Sequence, residues 1–373
     1  MKDFIPVNQP DLTGNEKKYL QECVDSGWIS SEGPFVEKLE IGMAELCNRK
    51  HAFAVCNGSA ALELAVKAIG VVKGDEVIMP TFTIISCALA VIRSGATPVY
   101  VDADPKTWNM VVEDIEAKIT ERTKAIMAVH IYGLTVDMDP LLSIAKKYQL
   151  KVIEDAAEVI GQTYDGKPCG TFGDISTFSF YPNKHITTGE GGMVLVNDDE
   201  LATRCDSLRN LSFGKSDRFI HKEQGWNFRI SNLQAAIGVA QLERLDQFIL
   251  KKREIGLRYG KLLSDCPNIQ LPLIRAQKVE NIFWVFGIVL NNDRIKDAKQ
   301  IMKKLCEKNI GTRPFFYPMH LQPALKEMRK DPNLSFSISE NLAARGFYLP
   351  SGLTLLDEEI SKVAEALKFL LQK

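Results

Sequence analysis

An excess of positive charge is the first thing this sequence lacks. Lys plus Arg number 46 and Asp plus Glu 47, leaving a net charge of -1, which removes the electrostatic argument for nonspecific binding to nucleic acid or an anionic membrane. No apolar run approaches bilayer-spanning length, and the opening residues Met1-Lys2-Asp3-Phe4-Ile5-Pro6 carry no apolar signal-peptide core. The eight cysteines form no C-x-x-C pair and sit mostly in apolar segments. They read as reduced core thiols of a cytoplasmic protein, not as a disulfide framework. Internal repeats, low-complexity tracts and metal-ligand clusters are missing too, so no metal is expected. What remains is an ordinary globular composition, 45% hydrophobic and 8% aromatic, in a 373-residue chain long enough for two domains.

The chain is organised around residues 151–193. A short apolar run, 151–153, ends in the carboxylates Glu154 and Asp155. A buried strand that delivers an acid at its carboxyl end is how open α/β folds present a site. The alternating segment 177–181 has the two-residue period of a strand. Pro182 and Asn183 break it, Lys184 follows in the turn, and Gly189-Glu190-Gly191-Gly192 comes just behind. Lysine amines form Schiff bases with carbonyls, and in pyridoxal phosphate sites an acid faces the ring nitrogen. Asp155 alone reads more readily as a solvated residue or a helix cap; Asp155, Ser179, Lys184 and the glycine turn in one compact order point to the cofactor. Upstream, residues 51–56 read as a buried strand and Asn57-Gly58-Ser59-Ala60-Ala61-Leu62 as a strand-to-helix turn. That turn is either a plain N-cap or a phosphate cradle.

Two strand–helix–strand units follow, at 76–101 and 124–153, and such alternation argues for a largely parallel sheet covered on both faces. His130, near a strand end, reads as a hydrogen-bonded core histidine. One long helix is expected from about Asn232 through Leu250, with the basic Lys251-Lys252-Arg253 behind it. The chain is then expected to divide into a cofactor domain, 1–245, and a smaller α+β domain, 246–373. In the second, 281–290 reads as a strand, 295–308 as a helix, 312–320 as a loop rich in binding-type residues, and 358–371 as a closing helix.

Nearly the whole chain resembles the DegT/DnrJ/EryC1/StrS sugar aminotransferases, a branch of the fold-type I pyridoxal-phosphate enzymes. The resemblance is carried by Trp28-Ile29-Ser30-Ser31-Glu32-Gly33-Pro34-Phe35, Asn57 to Leu62, Glu154-Asp155-Ala156-Ala157-Glu158, Asn183 to Met193 and Thr312 to His320. It implies that Lys184 holds the cofactor covalently and then moves protons. It places Asp155 at the ring nitrogen, Glu158 at the ring hydroxyl, and Ser59, Ser179 and the Gly58 and Ala60 backbone at the phosphate. Asn227 would reach the phosphate of a partner subunit, which implies a homodimer with shared sites. Trp28, Ser30, Ser31, Arg313, Tyr317 and His320 would meet a nucleotide sugar, although Arg313 could equally be a structural ion pair. The implied reaction moves the amino group of L-glutamate to C4 of a nucleotide-linked 4-keto-6-deoxyhexose. GDP-4-keto-6-deoxy-D-mannose, giving GDP-perosamine, is favoured over a UDP- or dTDP-linked sugar, and over a cofactor-binding regulator without turnover. One departure stands out: Ile84 occupies a position where the family usually stacks an aromatic on the ring.

Overall fold

The computed structural model describes residues 4–214, 218–276, 278–291, 297–328 and 334–372. Seven strands form the larger sheet: β1 His51–Val55, β2 Glu76–Pro80, β3 Thr97–Val101, β4 Thr123–Val129, β5 Lys151–Asp155, β6 Ile175–Ser179 and β7 Gly192–Val196. Their spatial order is β1-β7-β6-β5-β4-β2-β3. All run in one direction except β7, which pairs antiparallel with both β1 and β6. The carboxyl ends of β1, β2, β4, β5 and β6 therefore open onto the same edge, and that edge carries the site.

The sheet is covered on both faces, as its apolar strands require. Within β7, Val194 and Val196 join a core with α3 Gly58–Ala68, α4 Ile85–Arg93 and α6 Asp199–Arg209. Met193 and Leu195 point the other way, into a core with α2 Pro34–Leu46, α7 Asn232–Leu242 and α8 Leu245–Leu263. That alternation follows from the two-residue period of a strand. The same opposite face continues under α5 Met138–Lys147, where Leu141 and Ala145 pack on Ile126 and Val152.

The expected helix through residue 250 is two helices. Glu243 accepts from Asn15 Nδ2 at 2.7 Å and from Tyr19 Oη at 2.5 Å, while Arg244 pairs with Asp11 at 2.9 Å. The amino-terminal segment thus grips both residues, and Arg244 leaves helical geometry at φ -114°. Nor does the helix stop before Lys251-Lys252-Arg253: α8 runs through them to Leu263, with Lys252 buried. Amphipathic periodicity carried the chain onward where side-chain contacts from 230 residues away bend it.

A second sheet, entirely antiparallel, orders β8 Ile269–Gln270, β9 Phe286–Leu290, β11 Gly346–Leu349 and β10 Arg313–Pro314. It packs on Ile255 and Tyr259 of α8, on α9 Ala298–Cys306 and on α11 Asp357–Leu371. The strand expected from residue 281 begins only at Phe286 because Asn281 Oδ1 takes the Phe283 amide at 2.6 Å and Phe283 sits at φ 49°. Residues 295 and 296 of the expected helix lie outside the described residues.

Candidate active site

The residues at the sheet's carboxyl edge surround a cavity of about 730 Å³. Lys184 lies deep in it. Its turn is set by a bond from the Lys184 amide to Tyr181 O at 2.9 Å, just past the break that Pro182 imposes. Lys184 Nζ is 3.6 Å from Glu158 Oε1. Burial pushes the amine below its usual range, and Glu158 and then Asp155 oppose that. Glu158 Oε2 accepts the Tyr132 amide at 2.8 Å; burial lifts this carboxyl to about 7, with Lys184 pulling it back. A buried amine and a buried acid with converging proton affinities make a proton-transfer pair.

Asp155, 4% exposed at the end of β5, receives Ala157 N at 3.1 Å and the Cys87 thiol at 3.3 Å. Burial raises its pKa against those donors and the pull of Lys184. A carboxylate so desolvated has room for one more donor, and a cationic N–H would restore its charged form.

Two helix N-termini meet at one end of the cavity. In α3, Asn57 caps by accepting the Ala60 amide at 2.8 Å, so the first two amides, of Gly58 and Ser59, keep no carbonyl partner within the helix. The N-cap and phosphate-cradle readings of this turn are therefore compatible. The expected Ala60 contact is corrected, because that amide is held by the cap and Ala60 is buried away from the cavity lining. Gly58 has a spatial reason: a Cβ there would lie 2.6 Å from Ser179 Cβ. Ser59 Oγ meets Ser86 Oγ at 2.7 Å, bringing in the first turn of α4, whose N-cap residue Ile84 supplies no capping side chain. Anions gather where helix amides are left free. Uncapped amides, hydroxyls, a buried acid and a buried amine around one cavity fit pyridoxal phosphate.

The outer wall also carries expected residues. Arg313, Tyr317 and Ile84 line the cavity, and Arg313 stands opposite Tyr348 in the second sheet. His320 does not line it: its ring bonds Thr81 Oγ1 at 2.8 Å and Glu340 Oε1 at 3.0 Å, and it is buried. With both nitrogens engaged it secures the loop, so the expected substrate contact is corrected. Trp28, Ser30, Ser31 and Asn227 are likewise absent from the cavity of their own chain. Asn232, at the start of α7, holds the first loop through Trp28 O at 2.6 Å and Ser30 O at 2.7 Å. Ser31 shares a separate hollow of about 170 Å³ with Arg209, Asn210 and Arg229, and exposed Asn227 is bridged to Asn210.

His130 is the core histidine expected. Its Nδ1 accepts the Val136 amide at 3.1 Å, so Nε2 carries the proton toward Glu154 at 3.2 Å. The fold brings His130, Glu154 and Cys169 together, but Glu154 already accepts from Gly170, Phe172 and Ser176, which accounts for the group as a buried hydrogen-bond knot. Sequence reasoning missed Ser86, Cys87, Tyr132, Trp284 and Tyr348 at the site. Only Ser86 and Cys87, inside an apolar helix just after a strand, left a local trace.

A largely parallel sheet whose carboxyl edge presents this lysine, acid and anion cradle defines a fold-type I aminotransferase that uses pyridoxal 5′-phosphate. The chain belongs to the DegT/DnrJ/EryC1/StrS aminotransferase family, whose sequence profile matches residues 10–368. It is similar to the GDP-perosamine synthase of Escherichia coli O157:H7, 44% identical with 98% of each chain covered. It is also similar to that of Caulobacter vibrioides, 43% identical over 97% of each. Among solved structures it superposes on the aminotransferase TlmJ from Streptoalloteichus hindustanus with a TM-score of 0.92, 28% identity and 99% of each chain covered.

Proposed function

We propose that this enzyme transfers the amino group of L-glutamate to C4 of GDP-4-keto-6-deoxy-D-mannose, giving GDP-perosamine for a surface polysaccharide. The observation that carries the substrate is the full-length identity of 40 to 44% to three proteins named GDP-perosamine synthase. The cavity is compatible, since its outer wall offers Arg313 for a diphosphate and Tyr317 for stacking or hydrogen bonding.

When bound, pyridoxal phosphate supplies the electron sink that stabilises negative charge at the carbon losing or gaining a proton. The chain's own residues do the rest. Asp155 keeps the ring nitrogen protonated, the α3 amides with Ser59 and Ser179 fix the phosphate, and Lys184 Nζ carries the proton, with Glu158 adjusting its charge.

The same reading makes the enzyme a homodimer with shared sites. Asn227 and the 28–31 loop carry family motifs yet do not line their own cavity, which supports delivery to a neighbour's. We also take residues 1–245 and 246–373 as the two domains and the cytoplasm as the compartment. The first is supported by the two separate sheets, the second by eight unpaired cysteines. Among the described residues no helix is long and apolar enough to cross a membrane.

Incubation with isotope-labelled glutamate and GDP-4-keto-6-deoxy-D-mannose should place the labelled nitrogen at C4. Label retained in glutamate with the keto sugar unchanged would refute the assignment.

A further inference from the structure

Trp284 has no part in the roles above, yet it is the aromatic residue most closely applied to Lys184. The indole Nε1 donates to Asn183 O at 2.7 Å, and its ring centroid is 3.9 Å from Lys184 Nζ. The ring is held in place from several sides. Lys252 Nζ, buried in α8, donates to Trp284 O at 3.0 Å and to Ser351 O at 2.6 Å. Tyr132 packs on the indole at 5.8 Å between centroids, and Trp284 is 3% exposed. Behind the lysine, the His185 ring bonds Ile282 O at 3.4 Å, so residues 282–284 clasp the 183–185 turn from both sides.

The charges facing the amine are few. Glu158 stands at 3.6 Å, with Asp155 and the neutral Cys87 thiol farther in. His185 is neutral, because burial drives it down to about 3, and burial likewise keeps the Tyr132 and Tyr348 phenols protonated. Burial lowers the pKa of the Lys184 amine, against the pull of Glu158 and Asp155. An indole face attracts a cation through its ring quadrupole, more strongly where water is excluded.

Transamination needs this. While the cofactor itself carries the amino group, the lysine is free, and its amine takes a proton at the reacting carbon and holds it, charged, until the proton is returned. We propose that Trp284 is a positioning residue that holds the free amine of Lys184 on its π face beside Glu158 while that amine carries the proton in transit. The proposal rests on Lys184 being the lysine that binds the cofactor.

The test uses the full-length protein loaded with pyridoxamine 5′-phosphate, in which Lys184 is free. Tryptophan at position 284 alone is replaced by its mono-, di- and tetrafluorinated analogues, which keep the shape and the N–H while draining the π face. Competitive acetylation across pH, followed by mass spectrometry of the Lys184 peptide, gives the amine's apparent pKa. It should fall stepwise with fluorination, by about one unit in all. A flat or rising series would overturn the indole's role. Borohydride reduction of the pyridoxal-phosphate form serves as the control and should block Lys184 from acetylation. Lysine left open after reduction would overturn the assignment of Lys184 and the proposal with it.

Discussion

At the scale of single residues, the proposed mechanism divides between Lys184, which would carry a mobile proton, and Asp155, which would hold a fixed charge. Lys184→Ala should leave the fold intact, since the side chain belongs to the cavity, and should abolish both covalent cofactor attachment and turnover. Absorbance of the bound cofactor and a glutamate-dependent assay check the two separately, and wild-type rates in the variant would dismiss the mechanism. Asp155→Asn keeps shape but removes the charge opposite the ring nitrogen. Cofactor should still bind, while turnover drops by several orders of magnitude, roughly at or beyond the range of general acid–base effects. Near-normal activity would return Asp155 to the status of a helix cap. Both residues were readable from sequence because a strand end and a proline-broken turn are local events. Trp284 and Tyr348 were not, because their place at the cavity depends on contacts distant in sequence, 101 residues in the case of Trp284 and Asn183.

At the scale of elements, the proposed phosphate cradle makes the N-terminus of α3 the place where cofactor affinity can be tested. Gly58→Ala would push a Cβ to 2.6 Å from Ser179 Cβ, and overpacking of this kind costs about 1–3 kcal/mol. A titration with pyridoxal phosphate should show binding weakened by roughly tenfold or more; unchanged affinity would mean that the α3 turn is not the cradle. Helix α8 gives a pH prediction. Burial lowers the pKa of Lys252 from 10.5 to about 7, and a neutral amine has two N–H groups for its two carbonyl acceptors, Trp284 O and Ser351 O. The unfolded chain binds more protons at this lysine between those values, so its contribution to stability grows as pH rises from about 7 towards 10.5, by at most about 1.4 kcal/mol per unit. Denaturant unfolding of the wild type and Lys252→Met should therefore diverge with pH in that window, the wild type gaining. A constant gap would show that Lys252 stays charged in the fold. Most strands of the larger sheet were legible to within two residues, because buried parallel strands are short apolar runs. The α7–α8 break was not, since it is made by Asp11, Asn15 and Tyr19 gripping residues that are themselves good helix formers.

At the scale of the whole molecule, two family motifs lie outside the lining of their own cavity, and the proposed homodimer would bring them to a neighbour's. Lys184→Ala and Asn227→Ala subunits, each impaired alone, should regain activity when mixed, because one site of each hybrid dimer then holds both intact residues. Mixtures no more active than the separate proteins would refute sharing. The nucleotide was the least legible feature: Arg313 and Tyr317 recognise phosphate and a flat or hydroxylated group in general, and neither distinguishes guanine from thymine or uracil. Steady-state kinetics with glutamate and each nucleotide sugar separate a GDP-sugar 4-aminotransferase from its dTDP- and UDP-sugar counterparts. kcat/KM should be highest for GDP-4-keto-6-deoxy-D-mannose. A higher value for the dTDP- or UDP-linked 4-keto-6-deoxyglucose would contradict it.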